Sequence, residues 1–106
     1  MTGGRGRSTA PRDFARDPDR WPNAAVEDPA AAVVQHIART LAAALATRKM
    51  SLRAMAAATG VNRQTATLLL DGLSWPDVVT VCRLEDGLSL ALWPGATIPG
   101  SRHLGV

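Results

Sequence analysis

The chain is 106 residues long, enough for one small domain whose core would span roughly sixty or seventy residues once unpacked ends are discounted. Hydrophobic residues make up 46% of it but aromatic residues only 4%, and tyrosine is absent, a balance dominated by alanine and leucine that argues for close helix packing and against a sheet-built core. The formal charge of +3 is unevenly spread, with five basic residues against Asp71 alone between 29 and 75 and flanks that are neutral or slightly acidic; an acidic partner is expected for the middle, and a single cysteine excludes a disulfide-stapled scaffold.

Residues 1–28 are rich in Gly, Pro, Arg and Asp and carry neither a 3.6-residue nor a two-residue apolar period. Such a segment buries too little surface to offset its ordering entropy, so it is expected to be a flexible arm. Phe14 and Trp21 are its only large apolar groups; Trp21 either docks onto the folded body or stays exposed. Arg5, Arg7 and Arg12 precede the first acid, Asp13, and resemble a tail that seeks a nucleic-acid groove, with an uncommitted tail as the alternative.

Order is expected from "EDPAAAVVQHIARTLAAALATRK". Asp28 suits an N-cap, Pro29 the first helical position, and Val34, Ile37, Leu41, Ala44 and Leu45 recur at spacings of three and four on one stripe. Arg48 and Lys49 close this first helix where positive charge complements its dipole. His36 sits beside the stripe without ligand-spaced companions, so partial exposure is expected rather than a metal site.

A second helix starts after Ser51, an N-cap, with Leu52, Met55, Ala56 and Thr59 on one face, and Gly60 ends it. Val61 is expected inside, Asn62 caps a third helix over "RQTATLLLD", and Gly72 terminates that one. Trp75-Pro76-Asp77 punctuates the chain before a fourth stripe of Val78, Val81, Leu84 and Leu88, among which Cys82 is expected as a small core residue. "LSLALWP" at 88–94 alternates briefly and suggests a short strand. Residues 94–106 are expected to form a loose C-terminal tail.

Met55, Ala56, Gly60, Val61, Ala66 and Leu69 have the spacing of a compact helix-turn-helix, in which each position meets a separate steric demand. Ala56 allows close approach, Gly60 makes the turn, Val61 plugs the space beneath it, and Ala66 with Leu69 and Leu70 buries the third helix on the others. On "SLRAMAAATGVNRQTATLLLDG" and "WPDVVTVCRLEDGLSLALWP", the chain resembles the lambda-repressor-like family, of the Cro and phage-repressor type, over roughly residues 37–93. It is particularly similar to small actinobacterial members, in which a Trp-Pro pair precedes a helix ending in Leu-Trp-Pro. Thr59 stands where an apolar residue is usual, Ala66 is smaller than the usual Val or Ile, and Glu85 and Ser89 replace common Ala and Gly. The resemblance implies an all-α, compact four-helix domain over 29–93, flanked by the flexible N-terminal arm and the short tail.

It also implies that residues 63–71 enter the major groove of double-stranded DNA, with Arg63, Gln64, Thr67 and Leu68 toward base edges. Independently, with Ala66 at the centre of the buried face, stepping 100° per residue turns Gln64, Leu68 and Asp71 outward and sets Arg63 and Thr67 beside them. Arg63 suits guanine O6 and N7, Gln64 suits adenine, and Leu68 could meet a thymine methyl or a protein. DNA-backbone contacts are assigned to Ser51, Leu52 and Arg53 at the second helix's start, with Asn62 and Thr65 alongside; Arg48 and Lys49 extend the basic rim and Asp71 opposes it.

A transcription regulator is the expectation, cytoplasmic and nucleoid-associated, with DNA as partner. A homodimer would pair through the first helix, the "LSLALW" segment or the DNA itself. The alternative is an adaptor or antitoxin-like module that docks a protein partner on "TLLL" and Trp93. No serine has a histidine helpfully placed beside it and no glycine-rich segment follows a strand, so no enzyme activity, cofactor or metal is expected. No apolar run approaches the ~18 residues that cross a bilayer, and the first residues lack a signal-peptide pattern, so no membrane partner is expected.

Overall fold

The computed structural model describes residues 9–95. Within them two short 3-10 turns, Pro11–Phe14 and Pro18–Arg20, precede four helices: α1 Pro29–Thr47, α2 Leu52–Thr59, α3 Arg63–Leu70 and α4 Val78–Leu88. Among the described residues there is no strand, only an isolated bridge between Ala15 and Val26. The domain is all-α with four helices, as the alanine-rich composition implies.

Local chemistry sets each helix start. The Asp28 carboxylate accepts the Ala31 amide at 2.9 Å ahead of Pro29, the Ser51 hydroxyl oxygen accepts Ala54 N–H at 3.0 Å, Asn62 Oδ1 accepts Gln64 N–H at 2.7 Å and Asp77 accepts Thr80 N–H at 2.7 Å. Each side chain satisfies one of the amides that a first turn leaves unpaired.

The ends follow one device, a residue in the left-handed region just past the helix. Gly60 (φ 78°) and Gly72 (φ 71°) fill it after α2 and α3, but Lys49 (φ 53°) and Ser89 (φ 49°) fill it after α1 and α4. Met50 N–H to Leu45 O, Leu73 N–H to Leu68 O and Leu90 N–H to Glu85 O are the closing bonds of Schellman-type caps.

Ile37 and Leu41 of α1, Met55 of α2, Leu69 of α3 and Val81 and Leu84 of α4 are fully buried together, with Val61 and Leu92 filling from the connections. α1 packs on α3 and on the first 3-10 turn, while α2 packs on α3 and α4. α2 and α4 approach closely at Gly87, where a Cβ would lie 2.6 Å from Ala58 O and 2.7 Å from Thr59 Cα. By length and mean hydropathy (1.2) α1 does reach the dimensions of a membrane span, contrary to the expectation that no segment approaches them; here its apolar stripe is the wall of the core.

Several expectations are corrected. Residues 9–28 are not a free arm: Pro11, Ala15 and Ala24 are buried, Arg12 N–H donates to Gly72 O at 2.9 Å, and Trp21 Nε1–H donates to Leu70 O at 3.1 Å. The segment lacks periodicity because turns and single docked residues hold it, not a continuous stripe. Residues 89–95 form no strand; Ser89 breaks the alternation and Glu85 Oε2 captures the amides of Leu92 (2.7 Å) and Trp93 (3.1 Å). Cys82 and Val78 are exposed rather than core, since the buried stripe of α4 is Val81, Leu84 and Leu88 and leaves both on other faces. Arg5, Arg7 and the tail beyond residue 95 lie outside the described residues.

Candidate nucleic-acid interface

α3 is anchored by Ala66 and Leu69, both fully buried, and that anchoring decides what its other faces present. Arg63, Gln64 and Thr65 are exposed, while Thr67 and Leu68 are half-buried. Leu69 is therefore the inward leucine of "TLLL", Leu70 packs at the core's margin, and Leu68 is only partly outward.

The starts of α2 and α3 flank a groove of about 490 Å³ lined by Leu52, Asn62, Arg63, Gln64 and Thr67. Five of the nine residues expected to contact DNA thus line one concavity. Ser51, Arg53 and Thr65 are exposed nearby in the sequence but are not among its lining residues, and neither is Leu68.

Hydrogen bonding constrains what these side chains can offer. Asn62 Oδ1 is engaged by Gln64 N–H, leaving the amide NH₂ as its donor. Thr67 donates its hydroxyl proton to Arg63 O at 3.0 Å; toward the groove it keeps acceptor lone pairs and a methyl. The Ser51 oxygen is engaged as a cap, yet its hydroxyl can still donate outward. The first amides of α2, at Leu52 and Arg53, have no preceding helical turn to bond, and the dipole of the helix makes that end attractive to an anion.

Cations divide into free and engaged. Arg53 and Arg63 are exposed and enter no ion pair among the described residues. Arg48, expected on the same rim, instead donates from Nη1 to Leu88 O at 2.6 Å, where it caps the end of α4. Arg12 is likewise committed, through Nε to Pro18 O at 2.8 Å and beside Asp19 at 3.8 Å, and does not extend as a groove-seeking side chain.

The turn is built with an internal polar bridge. Thr59 donates to Met55 O at 2.8 Å and its oxygen accepts Val61 N–H at 3.0 Å, so a hydroxyl at a position expected to be apolar is satisfied twice while its methyl meets α4 beside Gly87. Gly60 (φ 78°) supplies the left-handed step. Comparison with protein-family models, curated proteins and solved structures finds no match.

Of the two outcomes open for Trp21, docking is the one found, and the ordered strap around it that holds the far end of α3 is the element sequence reasoning missed. Trp21 lies on Gly72 and Arg12 bonds the Gly72 carbonyl. A lone tryptophan in an otherwise Pro- and Asp-rich stretch was the available signal. Nothing local in the sequence identified its partner.

Proposed function

We propose that the domain binds double-stranded DNA through α3, as a helix-turn-helix regulator of transcription. The observation that carries this reading is the groove shared by Leu52, Asn62, Arg63, Gln64 and Thr67: it joins an unpaired helix start to a neighbouring helix whose exposed residues are hydrogen-bonding and basic. In that reading the α2 start and Arg53 hold the phosphate backbone. Arg63 and Gln64 read base edges, each good bidentate pair contributing about 1–3 kcal/mol of discrimination. Thr67, its proton committed, accepts from a base amino group or meets a thymine methyl.

Selection of bound fragments from a random duplex pool, followed by binding of the selected duplex across a salt series, tests the reading. Affinity should fall steeply with salt, and Arg63→Ala or Gln64→Ala should relax sequence preference at one position while leaving the fold intact by circular dichroism. Failure to enrich any sequence, with salt-independent residual binding, rejects it.

A protein-docking module is the second reading, favoured by one observation: Phe14, Leu73, Trp75, Val78, Val79 and Trp93 are exposed. Within "TLLL" itself, Leu69 is buried and Leu68 and Leu70 are half-buried, so a docking surface would use the residues that follow α3 more than α3 itself.

A further inference from the structure

α3 is eight residues long, Arg63–Leu70, too short to persist as a helix on its own propensity. Its axis is therefore set by what touches it. At the start, Asn62 caps the first turn and the Thr59 hydroxyl clamps the preceding connection; in the middle, Ala66 and Leu69 are buried. At the end, the carbonyls of Thr67, Leu68 and Leu69 accept the amides of Asp71, Leu73 and Gly72. That leaves one of the four carbonyls of a last turn without a helical or capping partner. It is taken from far away in the chain: Leu70 O accepts Trp21 Nε1–H at 3.1 Å, the indole rests on Gly72, and Gly72 O accepts Arg12 N–H at 2.9 Å.

The strap that supplies these donors is itself tied down on both sides of the tryptophan. Before it, Pro11 is fully buried and the first 3-10 turn packs on α1. After it, Gln35, a buried side chain of α1, donates from Nε2 to Ala24 O. The attachment of the strap to α1 is thus passed on to the far end of α3.

We propose that Trp21 and the Arg12 amide are positioning groups for the reading helix: they fix the axis of α3, and with it the aim of Arg63 and Gln64, so that base discrimination depends on a segment outside the helix-turn-helix. The inference rests on the reading of α3 as the DNA-binding element. Released at Leu70, α3 would pivot about its two buried residues. A tilt of about 10–20° swings the tip of a long side chain by more than the ~0.5 Å that such contacts tolerate. The phosphate contacts assigned to the start of α2 and to Arg53 do not run through the strap. Loosening Trp21 therefore separates the two kinds of contact, lowering discrimination between sequences while the electrostatic part of binding stays.

Full-length Trp21→Phe, which keeps a ring over Gly72 but has no N–H, and Trp21→Ala are compared with Leu92→Ala, a buried residue beyond α4 and outside both the strap and α3. Each is measured at a temperature where circular dichroism shows it fully folded. Fluorescence anisotropy is read on the duplex that the wild-type chain selects and on versions of it substituted at one base pair. In Trp21→Phe the ratio of the two affinities should fall about three- to tenfold at the positions that Arg63→Ala and Gln64→Ala relax, and further in Trp21→Ala. The slope of log affinity against log salt should not change, and Leu92→Ala should keep the wild-type ratio. Hydrogen exchange of the free protein reads the same clamp without DNA: amides at the end of α3 should lose about tenfold protection in Trp21→Phe while those of α4 keep theirs.

If the wild-type chain binds one sequence specifically and the Trp21 variants discriminate as well as it does, the proposal is overturned and the DNA reading stands. An equal loss of discrimination in Leu92→Ala, or exchange that rises alike in every helix, also overturns it, since stability alone would then account for the effect. A wild-type chain that selects no sequence overturns the DNA reading and the proposal with it.

Discussion

The indole of Trp21 occupies the space in which a side chain at Gly72 would stand: a Cβ there would lie 2.5 Å from Cε2 and 2.8 Å from Nε1. Since Gly72 also holds φ 71°, alanine at this position meets both steric overlap and left-handed strain. Gly72→Ala should lower stability by about 2–4 kcal/mol, and Trp21→Ala by a similar amount through lost packing and the lost bond to Leu70 O. The double variant should cost at least about 1 kcal/mol less than the sum, because one substitution removes the clash of the other. Urea denaturation of the three variants measures this; strict additivity would show that the two residues do not meet.

The other glycines separate strain from contact. Around Gly60 no heavy atom lies within 4 Å of a built Cβ, whereas at Gly87 the backbone of α2 does. Gly60→Ala should therefore cost only the left-handed penalty, about 1–2 kcal/mol. Gly87→Ala should cost more, upwards of about 2 kcal/mol, by pushing α2 off α4. Equal losses in urea denaturation would contradict that separation.

Lys49 and Ser89 stand at left-handed helix ends where glycine is the unstrained residue. Lys49→Gly and Ser89→Gly should each raise stability by about 0.5–1 kcal/mol, relief of strain outweighing the greater freedom of glycine in the unfolded chain. A higher urea midpoint with unchanged slope is the expected signature.

The Asp77 carboxyl is held below its ordinary value of 3.8, chiefly because it accepts the Thr80 amide, with the Thr80 side chain and the Arg83 charge adding to the effect. A depressed folded pKa means that the charged cap supports α4 at neutral pH and withdraws that support as pH falls from the unfolded value through the lower folded one. In an NMR titration the Thr80 amide should shift with an inflection below 3.8, and Asp77→Asn should abolish the inflection while keeping an acceptor. An inflection above the ordinary value would reverse the assignment.

Arg48 and Arg53 are alike in sequence and opposite in employment. With its guanidinium on Leu88 O, Arg48→Ala should lower stability by about 1–2 kcal/mol and leave the salt dependence of DNA binding unchanged. Arg53→Ala should do the reverse, with the slope of log affinity against log salt falling by about one phosphate contact. Denaturation and fluorescence anisotropy on the same selected duplex distinguish them.

The composition of the chain, three of its four N-caps (Asp28, Ser51 and Asn62) and its inward stripes apart from Val78 and Cys82 were legible without coordinates because they are local: a cap bonds an amide two or three residues away, and a stripe is the geometry of one helix. For the same reason the outward turn of Gln64, with Arg63 beside it, followed from Ala66 alone, whereas Leu68, turned outward by the same step, is half-buried. What only the tertiary structure decided depends on pairs far apart in the chain, such as Trp21 with Leu70, 49 residues on, and Arg48 with Leu88, 40 residues on. No periodicity encodes those meetings. They convert an expected arm into a strap and an expected rim cation into a helix cap, while the burial of α4 through Val81, Leu84 and Leu88 leaves Val78, Val79 and Cys82 facing outward. Short-range hydrogen bonding and helical pitch determine the elements; the packing of one element on another determines which side chains remain for a partner.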